Sequence, residues 1–99
     1  MSGRPAVTRL NTPAQADDAD PECTAFLRMV GRRIRVLRYQ REMTQEELAD
    51  ATGISRNFIS VIEHGQHGMN LIRLLAIARA VGVEPWELLQ PVPTQVAPT

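Results

Sequence analysis

The sequence predicts an all-α fold, a compact arrangement of five helices, and three observations carry that prediction. Apolar residues recur at three- and four-residue steps through nearly all of residues 21–89, the period of a helix with one buried face. Short polar residues able to cap a helix, Asp20, Thr44, Ser55 and Asn70, stand directly before four of the periodic stretches. Gly53, Gly65, Gly82 and the pair Glu84-Pro85 mark where one helix should stop or the next begin. A chain of 99 residues can build one core, and 43% hydrophobic with 22% charged residues is the composition of a soluble globular domain.

Residues 1–20 are expected to be a flexible arm, because they hold Pro, Ala, Thr, Asp and Gln with few large apolar side chains and no sustained period. The folded domain should then run over residues 21–91. Asp20-Pro21 reads as a cap followed by proline at the first helical position. Phe26, Leu27, Val30, Ile34 and Leu37 form the buried stripe of the first helix, with Arg28, Arg32, Arg35 and Arg41 off it. Thr44 followed by Glu47 is a capping box, which starts a second helix at Gln45 with Leu48 and Ala49 facing inward. That helix ends at Thr52-Gly53, where glycine can take the positive φ of the turn.

Ser55 caps a third helix, whose Phe58, Ile59 and Ile62 continue the period as far as Gly65. Two helices joined by a turn of about three or four residues form a helix-turn-helix arrangement. Ala49 sits where the two should cross, and Ile59 and Ile62 should plug the second into the core. Asn70 caps a fourth helix with Leu71, Leu74, Leu75, Ala78 and Val81 toward the core, and Gly82 ends it. Glu84-Pro85 starts a short fifth carrying Trp86, Leu88 and Leu89, and residues 92–99 are a proline-containing tail expected to be disordered.

These residues, in this register, resemble the Cro/repressor-type (XRE-like) helix-turn-helix domain of phage repressors and many bacterial regulators. The resemblance covers Gly31 to about Leu89. GRRIRVLR is similar to the family's first helix, TQEELADATGISRNFISVIEHG to its second and third, NLIRLLAIARAVGV to its fourth and EPWELL to its short fifth. Met69 stands where the commonest version of the loop has proline, and GMNL looks more like the loop of restriction-modification controller proteins.

In such a domain the third helix enters the major groove while the second crosses the phosphate backbone. On the third helix Arg56, Asn57, Ser60, Val61 and His64 lie away from Ile59 and Ile62, which makes them the candidates for base contact. Arg56 can donate two hydrogen bonds to guanine, Asn57 can pair with adenine, and Val61 can touch a thymine methyl. The resemblance places Arg56, Asn57 and Val61 where the family contacts bases. Ser60 reads equally as a base contact and as a small residue that permits close approach, and Phe58 reads as packing. Gln45, at a positive helix end, is the main phosphate candidate, joined by Thr44, Ser55 and Asn70 at their own helix starts. The resemblance also implies that Arg38 pairs with Glu63 in a partly buried link that fixes the angle between two helices.

Formal net charge is zero. Residues 1–23 carry minus two and the remainder plus two, with arginine as the only strong cation. That balance permits nucleic-acid binding without arguing for it. Cys23 is the single cysteine, so no intrachain disulfide can form. With His64 and His67 it makes too few ligands for a structural zinc site, and no metal or other cofactor is expected. No nucleophile, base and acid grouping suggests an enzyme. With no membrane-spanning or secretory pattern, the expected location is the cytoplasm, on the nucleoid.

The reading that follows is a sequence-specific transcriptional regulator binding double-stranded DNA, as a homodimer on an inverted repeat. Trp86, Leu89 and Val92 offer the apolar dimer surface, unless Trp86 simply covers the domain's own core. The alternative is a protein-interaction module of the same fold, such as an antitoxin or adaptor, with the acidic stretch Asp17 to Glu22 facing a partner.

Overall fold

Each of the four capping residues accepts a backbone N–H from the turn that follows it, and those bonds set the helix starts in the computed structural model, which describes residues 20–92. Asp20 Oδ1 accepts from Glu22 N at 2.8 Å and Cys23 N at 3.2 Å, opening α1 (Pro21–Gln40). Thr44 Oγ1 accepts from Glu47 N at 3.0 Å while Glu47 Oε1 accepts from Thr44 N at 2.8 Å, a complete capping box for α2 (Gln45–Thr52). Ser55 Oγ accepts from Phe58 N at 3.1 Å to open α3 (Arg56–Glu63), and Asn70 Oδ1 accepts from Arg73 N at 2.8 Å to open α4 (Leu71–Val81). The expected tail, and the expected arm apart from Asp20 at its end, fall almost wholly outside the described residues.

The fifth element is a 3-10 turn, Pro85–Leu89, so the described residues hold four α-helices where five were expected. Five residues starting at a proline leave room for little more than one turn, and the chain tightens to an i→i+3 bond, Glu87 N to Glu84 O at 2.9 Å. No strand occurs among the described residues.

One core joins all five elements. Val30, Ile34 and Leu37 from α1 meet Leu48 and Ala49 from α2, Ile59 and Ile62 from α3, and Leu74, Ile77, Ala78 and Val81 from α4, with Leu88 closing one end. Ile54, in the turn before α3, is buried with them. Two expectations are corrected. Phe26 is 47% exposed and Leu27 only half-buried, because α1 begins well before the other helices reach it and the buried stripe starts at Val30. Leu71 is 78% exposed and Leu75 half-buried, while Ile77 is fully buried. Helix α4 is apolar nearly all round, so its period does not single out one face.

Helix α1 crosses the end of α3 at close range. A Cβ on Gly31 would lie 2.6 Å from the carbonyl oxygen of Glu63 and closer still to that of Ile62. Gly53 takes φ 77° in the left-handed region and turns the chain between α2 and α3 as expected. Arginines tie the outer elements inward: Arg33 Nε donates to Glu87 O at 3.1 Å, and Arg41 Nε to Val81 O at 2.9 Å.

The capping box gives a first prediction. Thr44→Ala removes the acceptor of one orphan N–H and should cost about 1 kcal/mol. A thermal melt followed by circular dichroism should show a fall of about 4–8 °C for a domain of this size. An unchanged melting temperature would mean water replaces the hydroxyl at no cost.

Candidate nucleic-acid interface

Helix α3 is amphipathic, with one face locked into the core and the other open at the surface. Ile59, Ile62 and Glu63 are buried. Arg56 and Asn57 are exposed on its first turn, Ser60 and Val61 are half-buried along its side, and His64 is exposed at its C-cap. The five candidates for base contact therefore all reach the surface, the first two most fully. His64 Nδ1 donates to Ser60 O at 2.8 Å, which fixes the ring against its own helix and leaves Nε2 outward.

The phosphate candidates share a chemical feature. In Thr44, Ser55 and Asn70 the side-chain oxygen is used as an acceptor by the cap. The hydroxyl protons of the first two and the amide N–H groups of the third remain as donors, which is what a phosphate oxygen requires. Gln45 differs. Its Nε2 donates to Glu63 Oε1 at 3.1 Å, so the amide aimed at DNA in the sequence reading is held by the protein. What α2 keeps at that end is the backbone N–H groups of Gln45 and Glu46, since that of Glu47 is taken by Thr44.

Glu63 is the centre of a buried brace. Arg38 Nε donates to Glu63 Oε2 at 2.6 Å and Arg38 Nη2 to Glu63 Oε1 at 3.0 Å, a two-pronged pair in which the two side chains are 6% and 1% exposed. Arg38 Nη1 donates to Met43 O at 2.8 Å, and the guanidinium carbon lies 4.7 Å from the Tyr39 ring centroid. The hydrogen bond Arg38 donates to Glu63, against the opposing effect of burial, raises the Arg38 pKa above its ordinary value, so the guanidinium keeps its charge. The link expected to be partly buried is thus fully buried, and Gln45 is a third member that sequence reasoning missed. Its only signal was polarity at the first position of a helix, which reads equally well as solvent-facing. No buried side-chain polar atom among the described residues lacks a partner.

Phe58 is half-buried, with the Arg73 guanidinium carbon 4.9 Å from its ring centroid and the His67 ring edge-on at 5.8 Å. That sandwich packs the loop after α3 against the helix.

Trp86 is 62% exposed and Leu89 41%, with Val92 half-buried. Trp86 therefore leaves most of its surface outside the domain's own core. Leu89 borders an apolar groove of about 210 Å³ with Phe26, Leu71 and Met69, and neither Trp86 nor Val92 lines it. A second cleft, of about 250 Å³, opens where α1 passes the end of α3 and is lined by Arg28, Arg32, Arg35, Glu63 and His64. Among the described residues no three His, Cys, Asp or Glu side chains come together to hold a metal ion, and no helix is long and apolar enough to cross a membrane.

This geometry has counterparts in known proteins. A family model described as a helix-turn-helix domain matches residues 31–92. The chain is 36% identical over 55 residues to the immunity repressor protein of Bacillus phage phi105, a match spanning 56% of this chain and 38% of the repressor's length. Among solved structures it is similar to the restriction-modification controller protein C.AhdI from Aeromonas hydrophila, with a TM-score of 0.63, 38% identity, and coverage of 65% of this chain and 97% of that one. It is also similar to the hypothetical transcription factor NHTF from Neisseria, with a TM-score of 0.64, 29% identity, and coverage of 83% and 90%.

Proposed function

The chain belongs to the helix-turn-helix domain family and is a DNA-binding regulator of transcription, and we propose that it works as a homodimer reading an inverted-repeat operator through α3. One observation carries this reading: Arg56 and Asn57 stand exposed on the first turn of a helix whose other face is locked into the core. Side chains in that position can enter the major groove while the rest of the domain stays on the backbone. Ser60, Val61 and His64 extend the reading surface along the helix. Thr44, Ser55 and Asn70, with the backbone N–H groups at Gln45, hold the phosphates on either side. Such a protein works in the cytoplasm, on the nucleoid.

A single domain reads only a few base pairs, and pairing over two half-sites about one turn, ~34 Å, apart supplies the remaining specificity. Exposed Trp86 and Leu89, with half-buried Val92 three residues further along the chain, support a dimer surface at the C-terminal end.

Footprinting on the DNA upstream of the gene tests the reading. The expected result is two protected half-sites related by symmetry, and Arg56→Ala should weaken binding by about 1–3 kcal/mol with the largest loss at one guanine position. Absence of any specific footprint would overturn the regulator reading in favour of a protein-interaction module. Sedimentation that shows only monomer at tens of micromolar, with and without DNA, would overturn the dimer.

A further inference from the structure

Helix α1 and its C-cap carry six arginines, and the fold uses three of them. Arg33 and Arg41 donate to backbone carbonyls of the 3-10 turn and of α4, and Arg38 holds Glu63. Arg28, Arg32 and Arg35 make no hydrogen bond or ion pair among the described residues. Their spacing of four and then three places them on one face of the helix, roughly 10 Å from first to last at 1.5 Å per residue. That face is the wall of the cleft of about 250 Å³ whose other wall includes His64, at the C-cap of α3.

The cleft is rigidly placed. Gly31 lies against the carbonyls of Ile62 and Glu63, and Gly65 lies against the backbone of Arg28, each too close to admit a Cβ. The arginine face is thereby fixed relative to the reading helix. The one carboxylate in the cleft, Glu63, already accepts from Arg38 and Gln45, so it does not neutralise the three guanidiniums. In a chain of zero net charge, this is a concentrated cationic surface next to the reading helix. Arg28 also precedes residues 31–92, the part matched by the family model, so it belongs to an extension of α1 that the family pattern does not describe.

We propose that Arg28, Arg32 and Arg35 form a second phosphate-binding surface that grips the DNA backbone flanking the half-site read by α3. The inference rests on the reading of α3 as the DNA-recognition helix. Planar guanidiniums suit phosphate oxygens, and contacts of this kind add affinity and register without adding base preference.

The test is the salt dependence of binding. Affinities of the full chain for its footprinted site and for a random duplex are measured over a salt series, for wild type and for Arg28→Gln, Arg32→Gln, Arg35→Gln and the triple variant. Each single change should flatten the slope of log K against log salt by about 0.9, and the triple by about 2.7, with the ratio of specific to random affinity kept. Arg79→Gln, exposed on α4, should leave the slope unchanged. A triple Arg→Lys variant should keep the slope, which separates lost charge from a damaged fold. An unchanged slope in the triple Gln variant, with wild-type binding intact, overturns the second surface and leaves the α3 reading standing. Wild type that binds no duplex at all overturns both.

Discussion

Arg38→Ala lowers the stability of this domain by about 3–5 kcal/mol, because it leaves the Glu63 carboxylate buried with its main counter-charge gone. At about 4–8 °C per kcal/mol for a domain of this size, the melting temperature falls by more than roughly 12 °C. Gln45 remains as a partner for Glu63, but a neutral amide cannot replace a two-pronged guanidinium. Removing both charges at once, Arg38→Met with Glu63→Leu, should restore much of the loss, since no stranded ion remains. The Arg38 charge itself adds no pH dependence in the ordinary range. Arg38 has its pKa raised by its bond to Glu63, so its share of stability is complete below the ordinary arginine range and is lost only above it. Thermal denaturation of the two variants decides the matter. An Arg38→Ala protein that melts like wild type and yet binds DNA weakly would move Arg38 from the brace to the DNA surface.

Gly31→Ala is the second large effect. The added Cβ meets two backbone carbonyl oxygens of α3 at separations that atoms do not tolerate, and backbone cannot swing aside as a side-chain tip can. Either α1 shifts or the end of α3 unwinds, at a cost near the upper end of the usual range for overpacking, about 3 kcal/mol. Gly68→Ala is the matched control. A Cβ there has nothing nearer than 3.9 Å, and the change should fall within about ±0.5 kcal/mol of neutral. Urea unfolding of both proteins makes the comparison, and equal midpoints would show that the crossing has slack.

Much of this molecule is legible in its sequence because its helices are announced locally. Asp20, Thr44, Ser55 and Asn70 act within three residues of themselves, so their roles need no knowledge of the rest of the chain. The turn at Gly53 is legible for the same reason. The Arg38–Glu63 pair spans 25 residues and became legible only through family resemblance. Gly31 and the bond from Gln45 to Glu63 were not legible, since both depend on how α1, α2 and α3 meet. Phe26 and Leu71 were misplaced because periodicity names an apolar face without saying how far the neighbouring helices extend over it. The cleft of Arg28, Arg32 and Arg35 lay in plain view as residues off the stripe, but only the packing of α1 on α3 puts them beside His64.

The carboxylate of Glu63 does something for α3 that the core cannot. Ile59 and Ile62 set how deep the helix sits, but apolar contact has no direction and tolerates a slight roll about the helix axis. A two-pronged ion pair is directional and fixes the rotational phase. Side-chain tips lie about 5–6 Å from the axis, so a roll of ~10° would carry Arg56 and Asn57 through roughly 1 Å, enough to break a hydrogen bond to a base edge. On the proposed reading of α3, the fidelity of base contact would in this sense be set inside the protein, by a buried carboxylate.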